Sequence, residues 1–175
     1  MAGTESIGLM EPMLPSDGER KLEDLALDLA ARASGLASQL PPGVRRSVGD
    51  LVRSMNCYYS NLIEGHYTHP RDIDRALVHT DYSNDSQKRA LQQEAVAHIE
   101  VQRLIDHRQD LQVEPTNTEY ITWLHKEFCR RLPEELLWVN NPDTGERVRM
   151  HGGKLRNSWV QVGRHLPPSA ENLPR

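Results

Sequence analysis

The sequence has few of the features that mark secreted or membrane-spanning proteins. Only two cysteines, Cys57 and Cys129, occur in 175 residues. They form no CxxC pair, which favours free thiols in a reducing compartment over a disulfide framework. No apolar run approaches the ~20 residues that a transmembrane helix needs, and the N-terminus lacks the basic-then-apolar order of a signal peptide. We therefore predict a cytoplasmic protein that does not cross or bind a membrane.

Aromatic residues and excess positive charge are also scarce. The chain has a single Phe, a net charge of −4 and a pI near 6.1, so its bulk charge gives no reason to expect nucleic acid as a partner. His66 and His69 have the spacing of half a metal site, but no second His or Cys pair follows at ligand spacing, and no metal site is predicted. Apolar residues make up 37% of the chain, enough for one lean globular domain.

Apolar residues recur at helical spacing through most of the chain, and five helices are predicted. Residues 1–15 are polar and aperiodic and are predicted to form a disordered tail. Ser16 and Glu19 then have the spacing of a capping box, Pro70 suits a first helical turn, and a second capping box spans residues 116–119. The stripes predicted to face inward are Leu22, Leu25, Leu29, Ala33 and Leu36, then Leu51, Met55, Tyr58 and Leu62, then Leu91, Ala95, Ile99 and Leu104, then Ile121, Leu124 and Phe128.

Turn and strand signals replace the helical pattern in the last third of the chain. Residues 140–145 are rich in Asn, Pro, Asp and Gly, which is typical of a turn. Residues 148–150 and 159–163 are predicted to be the two strands of a β-hairpin at about 146–168, with Gly152 and Gly153 between them. The predicted fold is therefore mainly α, with one β-hairpin.

Two segments resemble motifs of the Fic family of protein AMP-transferases. Ser60, Glu64 and Gly65 match the family's inhibitory motif, in which Ser or Thr is followed after three residues by Glu and then by Gly or Asn. Residues 153–168 look like the family's flap, with Gly-x-x-Arg followed by Val-x-Val-Gly-x-His-x-Pro-Pro. Motif and flap occur in the family's order, so the resemblance covers roughly residues 20–175.

The resemblance implies the N-terminal helices of a Fic fold over residues 16–175, with an inhibitory helix at about 45–65 and a flap hairpin at about 146–168. In the family, AMP moves from ATP, bound with Mg²⁺, to a hydroxyl of a target protein. By resemblance, Glu64 is the carboxylate that blocks this transfer, Ser60 helps to fix it, and Gly65 completes the motif. The flap residues expected to contact the target protein or the nucleotide are Gly153, Arg156, Trp159, Val160, Val162 and Gly163.

Each of these assignments has a plainer alternative. Glu64 is predicted at a helix C-terminus, where the helix dipole disfavours a negative charge, and a residue placed against its local preference invites a specific reason. An ordinary solvated carboxylate is the alternative for Glu64. For Trp159 the alternative is a core residue of a structural hairpin, and for Arg156 it is a surface arginine.

The family's catalytic signature, His-x-Phe-x-(Asp/Glu)-Gly-Asn-Gly-Arg, occurs nowhere in the sequence. No catalytic residue is therefore assigned, enzymatic activity of this polypeptide is uncertain, and the chain alone is not expected to bind ATP. We expect the regulatory and target-binding part of a Fic AMP-transferase, truncated before the catalytic loop, whose uncovered apolar stripes lead to homo-oligomers. The alternatives are a stand-alone, antitoxin-like inhibitor of a separate Fic core, and a nonfunctional truncated gene product.

Overall fold

The computed structural model describes residues 20–141, 144–161 and 166–173. Within these ranges the fold is mainly α with a small antiparallel hairpin, which confirms the predicted class at that level. The predicted tail and the positions of Ser16, Glu19, Val162 and Gly163 lie outside the described residues. The helices are α1 (Arg20–Gln39), α2 (Pro42–Ile63), α3 (Pro70–His79), α4 (Ser86–Asp106) and α5 (Thr118–Cys129); the strands are β1 (Trp138–Asn140) and β2 (Arg147–Arg149).

Local signals in the sequence determine where several helices begin. Pro70 occupies the first turn of α3, as predicted. Asn117 caps α5 by accepting a hydrogen bond from the backbone N–H of Glu119 at 2.8 Å, and Asp85 caps α4 by accepting one from Lys88 at 3.0 Å. Such caps satisfy backbone donors that have no partner inside the helix.

The chain divides into two compact units. One contains the described parts of Met1–Gly49 and Arg156–Arg175, and the other is Asp50–Leu155. The core of the second unit consists of Cys57, Ile73, Ala95 and Ile99 from α2, α3 and α4. Ala95 and Ile99 were both predicted to face inward, and α5 packs on α4 beside them.

The predicted inward face of α1 is wrong, and that of α2 is right only in part, since Met55, Tyr58 and Leu62 are half-buried and Tyr58 packs against the core. Helix α1 has no buried residue, and Leu51 of α2 is 60% exposed. The buried side of α2 instead consists of Arg53, Ser54, Cys57 and Asn61. Two members of this side, Arg53 and Ser54, have polar partners on other helices. Arg53 pairs with Asp106 of α4 and, at 2.7 Å, with Asp50, and the Ser54 hydroxyl lies 3.1 Å from Asp74 of α3.

The hairpin lies upstream of the predicted one. Residues 147–149 pair with 138–140, in the register Trp138↔Arg149, Val139↔Val148 and Asn140↔Arg147. Val148 therefore pairs with Val139 and not, as predicted, with the strand at 159–163, of which residues 159–161 are described; residues 150–161 contain no strand. The turn explains the difference. Gly145 adopts φ +70° and donates its N–H to the Asn141 carbonyl at 2.9 Å, while Asn141 donates to Glu146 at 2.8 Å.

Candidate functional site

The last turn of α2 holds Ser60, Glu64 and Gly65 in a defined backbone geometry. Gly65 has φ +79° and donates its N–H to the Leu62 carbonyl at 3.1 Å, and His66 donates to the Asn61 carbonyl at 2.7 Å. These two bonds around a left-handed glycine form a Schellman motif. Gly65 is thus the helix-ending glycine predicted from the sequence, and Glu64 is the residue on which the helix closes.

The side chains of Ser60 and Glu64 are both exposed. They lie one turn apart, and the Glu64 N–H donates to the Ser60 carbonyl at 3.3 Å. Within the described part of the chain, neither the Ser60 hydroxyl nor the Glu64 carboxylate has a hydrogen bond or an ion pair. The structure therefore presents a negative charge that is held by backbone geometry and remains available to a cation or a donor from outside.

The segment around this turn is fixed to α4. His66 Nδ1 lies 3.4 Å from Glu94 Oε1, and Cys57, one turn before Asn61, donates its Sγ–H to the Ala95 carbonyl at 3.6 Å. Burial, with a smaller contribution from Glu94, raises the pKa of Cys57 to about 12. The Cys57 thiol therefore stays protonated and serves packing rather than nucleophilic chemistry.

Gly152 and Gly153, at the beginning of the flap segment, lie directly against α5. A β-carbon on Gly152 would stand 2.7 Å from Cβ of Cys129, and one on Gly153 would stand 2.9 Å from Cβ of Lys126. Gly153 also has φ +77° and donates its N–H to His125 Nδ1 at 3.2 Å. The structure thus gives Gly153 a packing role, and its predicted contact with a target or nucleotide stays a prediction.

The other described flap residues belong to the first unit. Arg156 donates from its guanidinium to the Ser158 carbonyl at 2.9 Å and to the Pro168 carbonyl, so it joins the two ends of the flap segment. Trp159 is 65% exposed and therefore is not a core residue, while its neighbour Val160 is half-buried. Of the predicted site residues, Ser60, Glu64, Gly65 and Gly153 belong to one unit, and Arg156, Trp159 and Val160 to the other.

The sequence reasoning missed a polar cleft that begins two residues after Gly65. It has a volume of about 420 Å³ and lies among the exit from α2, the first turns of α3 and α4, and the loop that joins those two helices. The spacing of Tyr67, Thr68 and His69 does not predict a cleft, because the other cleft residues lie up to 25 positions further along the chain. The side chains that matter below are Tyr67, Thr68, Asp72, Tyr82, Lys88 and Gln92.

Comparison with known proteins adds no assignment. No family model, no curated protein and no solved structure matches the chain. Among residues 20–141, 144–161 and 166–173, no three His, Cys, Asp or Glu side chains are grouped in a way that could hold a metal ion. Over the same ranges, every helix is too short or too polar to span a bilayer.

Proposed function

We propose that this chain is the regulatory and target-binding part of a Fic protein AMP-transferase and that it restrains AMP transfer through Glu64. The observation that carries the proposal is the exposed, unpartnered carboxylate of Glu64, held at the glycine turn that ends α2. A negative charge at a helix C-terminus costs about 0.3–1 kcal/mol. A carboxylate that lies without a partner at such an unfavourable place supports a role towards something outside the chain.

The restraint follows from the charge of Glu64. Placed near the terminal phosphate of ATP, the carboxylate repels that phosphate and pairs with the arginine that would otherwise hold it. Two unit charges about 4 Å apart interact by roughly 4 kcal/mol at an effective dielectric constant near 20. Ser60, one helical turn earlier, lies on the same side of α2. ATP then binds, if at all, in an unproductive orientation.

The catalytic groups come from a sequence other than this one. The chain contains neither the catalytic signature nor a glycine-rich phosphate loop. Arg156, the predicted cationic contact of the flap, already donates to two backbone carbonyls. On this proposal the chain supplies inhibition and target contact rather than the transfer step.

The flap contributes the target contact. Trp159 is 65% exposed and is large and amphipathic, as residues at interfaces often are. The backbone N–H and C=O groups beside it can register a target segment by main-chain hydrogen bonds. Arg156 holds the ends of the segment together and so limits the entropy lost when a target binds.

A second candidate is a stand-alone inhibitor that binds a separate Fic core in trans. It is favoured by the exposed side of α2. At 3.6 residues per turn, the apolar Leu51, Val52, Tyr59 and Ile63 lie roughly opposite the buried polar side. Such a face on a surface helix is expected to be covered by a partner. The third candidate is a nonfunctional truncated product.

One assay distinguishes these candidates. The chain is mixed with an isolated Fic catalytic core that has no inhibitory helix, and AMP transfer from labelled ATP and capture of the core are measured separately. We expect the wild-type chain to lower transfer. The Glu64→Gln chain should bind the core equally but leave transfer at least about tenfold higher, since each 1.4 kcal/mol is a factor of ten. Glu23→Gln on α1 is the matched control.

Each other outcome removes one part of the proposal. Equal inhibition by bound wild-type and Glu64→Gln chains would exclude Glu64 as the inhibitory group. No capture of the core would exclude the trans inhibitor. In that case the DNA downstream of the coding sequence should be read. If it encodes the catalytic signature, the hypothesis that this chain is the regulatory part of one enzyme is favoured. Labelling of a target by the chain and ATP alone would contradict the noncatalytic role.

A further inference from the structure

The polar cleft after α2 has walls that are joined by a buried side chain. Gln92 of α4 is 5% exposed. Its side-chain amide donates to the Asp72 carbonyl at 3.1 Å, and its side-chain oxygen accepts from the Ser83 N–H at 2.7 Å. These bonds fix the first turn of α3 to the α3–α4 loop. The cleft is therefore built before any ligand arrives, and its volume of about 420 Å³ falls in the range of small-molecule sites.

One residue of the cleft wall lacks a hydrogen-bond partner. Thr68 is 6% exposed, and its hydroxyl makes no hydrogen bond within the residues that the structure describes. Buried hydroxyls in folded proteins are nearly always satisfied, and leaving one unsatisfied costs about 1–3 kcal/mol. The Thr68 oxygen is itself closed off from solvent, so Thr68 forms part of the wall, and the case for a ligand rests on the charged side chains of the cleft.

Four charged side chains line the cleft, and only two of them form an ion pair with each other. Arg75 and Asp81 form an ion pair with each other. Asp72 and Lys88, in contrast, line the same cleft and form no ion pair with each other or with any other described residue. One cleft thus presents an anion and a cation that are not joined in an ion pair, and Lys88 also lies near the Asp85 carboxylate, whose pKa is lowered mainly by the backbone N–H of Lys88 and in smaller part by the Lys88 charge. Tyr67 and Tyr82 add aromatic rings, whose faces attract cations.

We propose that this cleft binds a small zwitterion of the amino-acid class. The ligand's ammonium group contacts Asp72 and a tyrosine ring, and its carboxylate contacts Lys88. Charge-assisted hydrogen bonds of this kind are the stronger ones in proteins, and a ligand with both charges satisfies both side chains without leaving a net charge in the cleft. The site is distinct from Glu64 and does not depend on the function proposed above.

The test is a titration of the full chain followed by amide chemical shifts in a ¹H–¹⁵N correlation spectrum. The probes are glycine, β-alanine and γ-aminobutyrate, which separate their two charges by increasing distances. Propionate and propylammonium carry one charge each. We expect at least one zwitterion to bind with a Kd of about 1 mM or tighter, with shifts confined to residues of the cleft. The singly charged probes should bind about tenfold more weakly.

Two variants assign the contacts. Asp72→Asn and Lys88→Met should each weaken zwitterion binding about tenfold, whereas the exposed controls Asp24→Asn and Lys154→Met should not. The proposal is wrong if no zwitterion binds below ~10 mM, or if propionate binds as tightly as the best zwitterion. Tighter binding of inorganic phosphate than of any zwitterion would make the cleft an anion site and would equally overturn the assignment.

Discussion

Gly152 approaches Cys129 so closely that a β-carbon on the glycine would lie 2.7 Å from Cβ of the cysteine. Cys129 is buried at the end of α5, so neither side can move freely. We predict that Gly152→Ala lowers the free energy of unfolding by about 1–3 kcal/mol, measured by urea unfolding followed by circular dichroism. Gly35→Ala is the control, because nothing lies within 4 Å of that position in α1. Equal stability of the Gly152→Ala chain and the wild type would contradict the close packing.

The contrast between Gly65 and Val148 shows what the sequence reveals about this fold. The end of α2 and the beginning of α3 were predicted correctly because Gly65 and Pro70 act through their own backbone preferences, which are local. The partner of Val148 was predicted wrongly because two segments with strand character flank it, and periodicity does not choose between them. The turn at Asn141 and Gly145 decides the pairing in favour of the upstream segment.

Leu51 and Arg53 illustrate a second limit. Apolar spacing indicates which side of α2 suits burial, but it does not indicate whether another element lies opposite that side. The partners of Arg53, including Asp106 on α4, bury the polar side instead and leave Leu51 exposed. The same limit applies to the site. The pattern of Ser60, Glu64 and Gly65 was visible as a spacing, whereas the cleft near Thr68 required the packing of α3 and α4.

The exposed side of α2 leads to a prediction about self-association. Leu51 is 60% and Ile63 is 84% exposed, and large exposed apolar patches promote association. We predict that the mass-average molar mass in sedimentation equilibrium rises with concentration, and that the double variant Leu51→Gln, Ile63→Gln reduces this rise. Val78→Gln on α3, a residue that is 71% exposed, is the matched control. A wild-type chain that stays monomeric across the concentration series would contradict the prediction.

His98 on α4 is expected to make the stability of the second unit depend on pH. Burial lowers the pKa of His98, and the nearby Glu94 offsets only part of this effect. The unfolded chain, with a histidine pKa of about 6.5, therefore takes up its proton at higher pH than the folded chain does. Because the unfolded state binds more protons in this window, the free energy of unfolding falls as pH is lowered through about 6.5.

The variant His98→Gln tests this dependence. Urea unfolding at a series of pH values from about 7.5 to about 5 should give a shallower pH dependence for the variant than for the wild type. The exposed His107→Gln chain controls for loss of a histidine elsewhere. Parallel pH profiles for wild type and His98→Gln would exclude His98 as the titrating group.

Arg53 and Arg32 both form ion pairs on helices, but only the first is expected to contribute much stability. The Arg53 side chain is 11% exposed and bridges Asp50 and Asp106, whereas the Arg32–Asp28 pair on α1 is exposed to solvent. We predict that Arg53→Met lowers the free energy of unfolding by about 1–3 kcal/mol, while Arg32→Met changes it by less than about 0.5 kcal/mol. Urea unfolding at neutral pH measures both.

The variants Arg53→Met and Arg32→Met are also expected to differ in how their free energy of unfolding depends on pH in acid. The hydrogen bond from Arg53 is the largest influence on Asp50 and lowers the pKa of Asp50 below its ordinary value. A carboxylate whose pKa is lowered on folding stabilises the folded state above its unfolded pKa, about 3.9, and that contribution is lost as pH falls through the folded value. Arg53→Met should therefore weaken the acid dependence of unfolding below about pH 4, and Arg32→Met should not. If Arg53→Met and the wild type show the same pH dependence of unfolding below about pH 4, then Arg53 does not lower the pKa of Asp50.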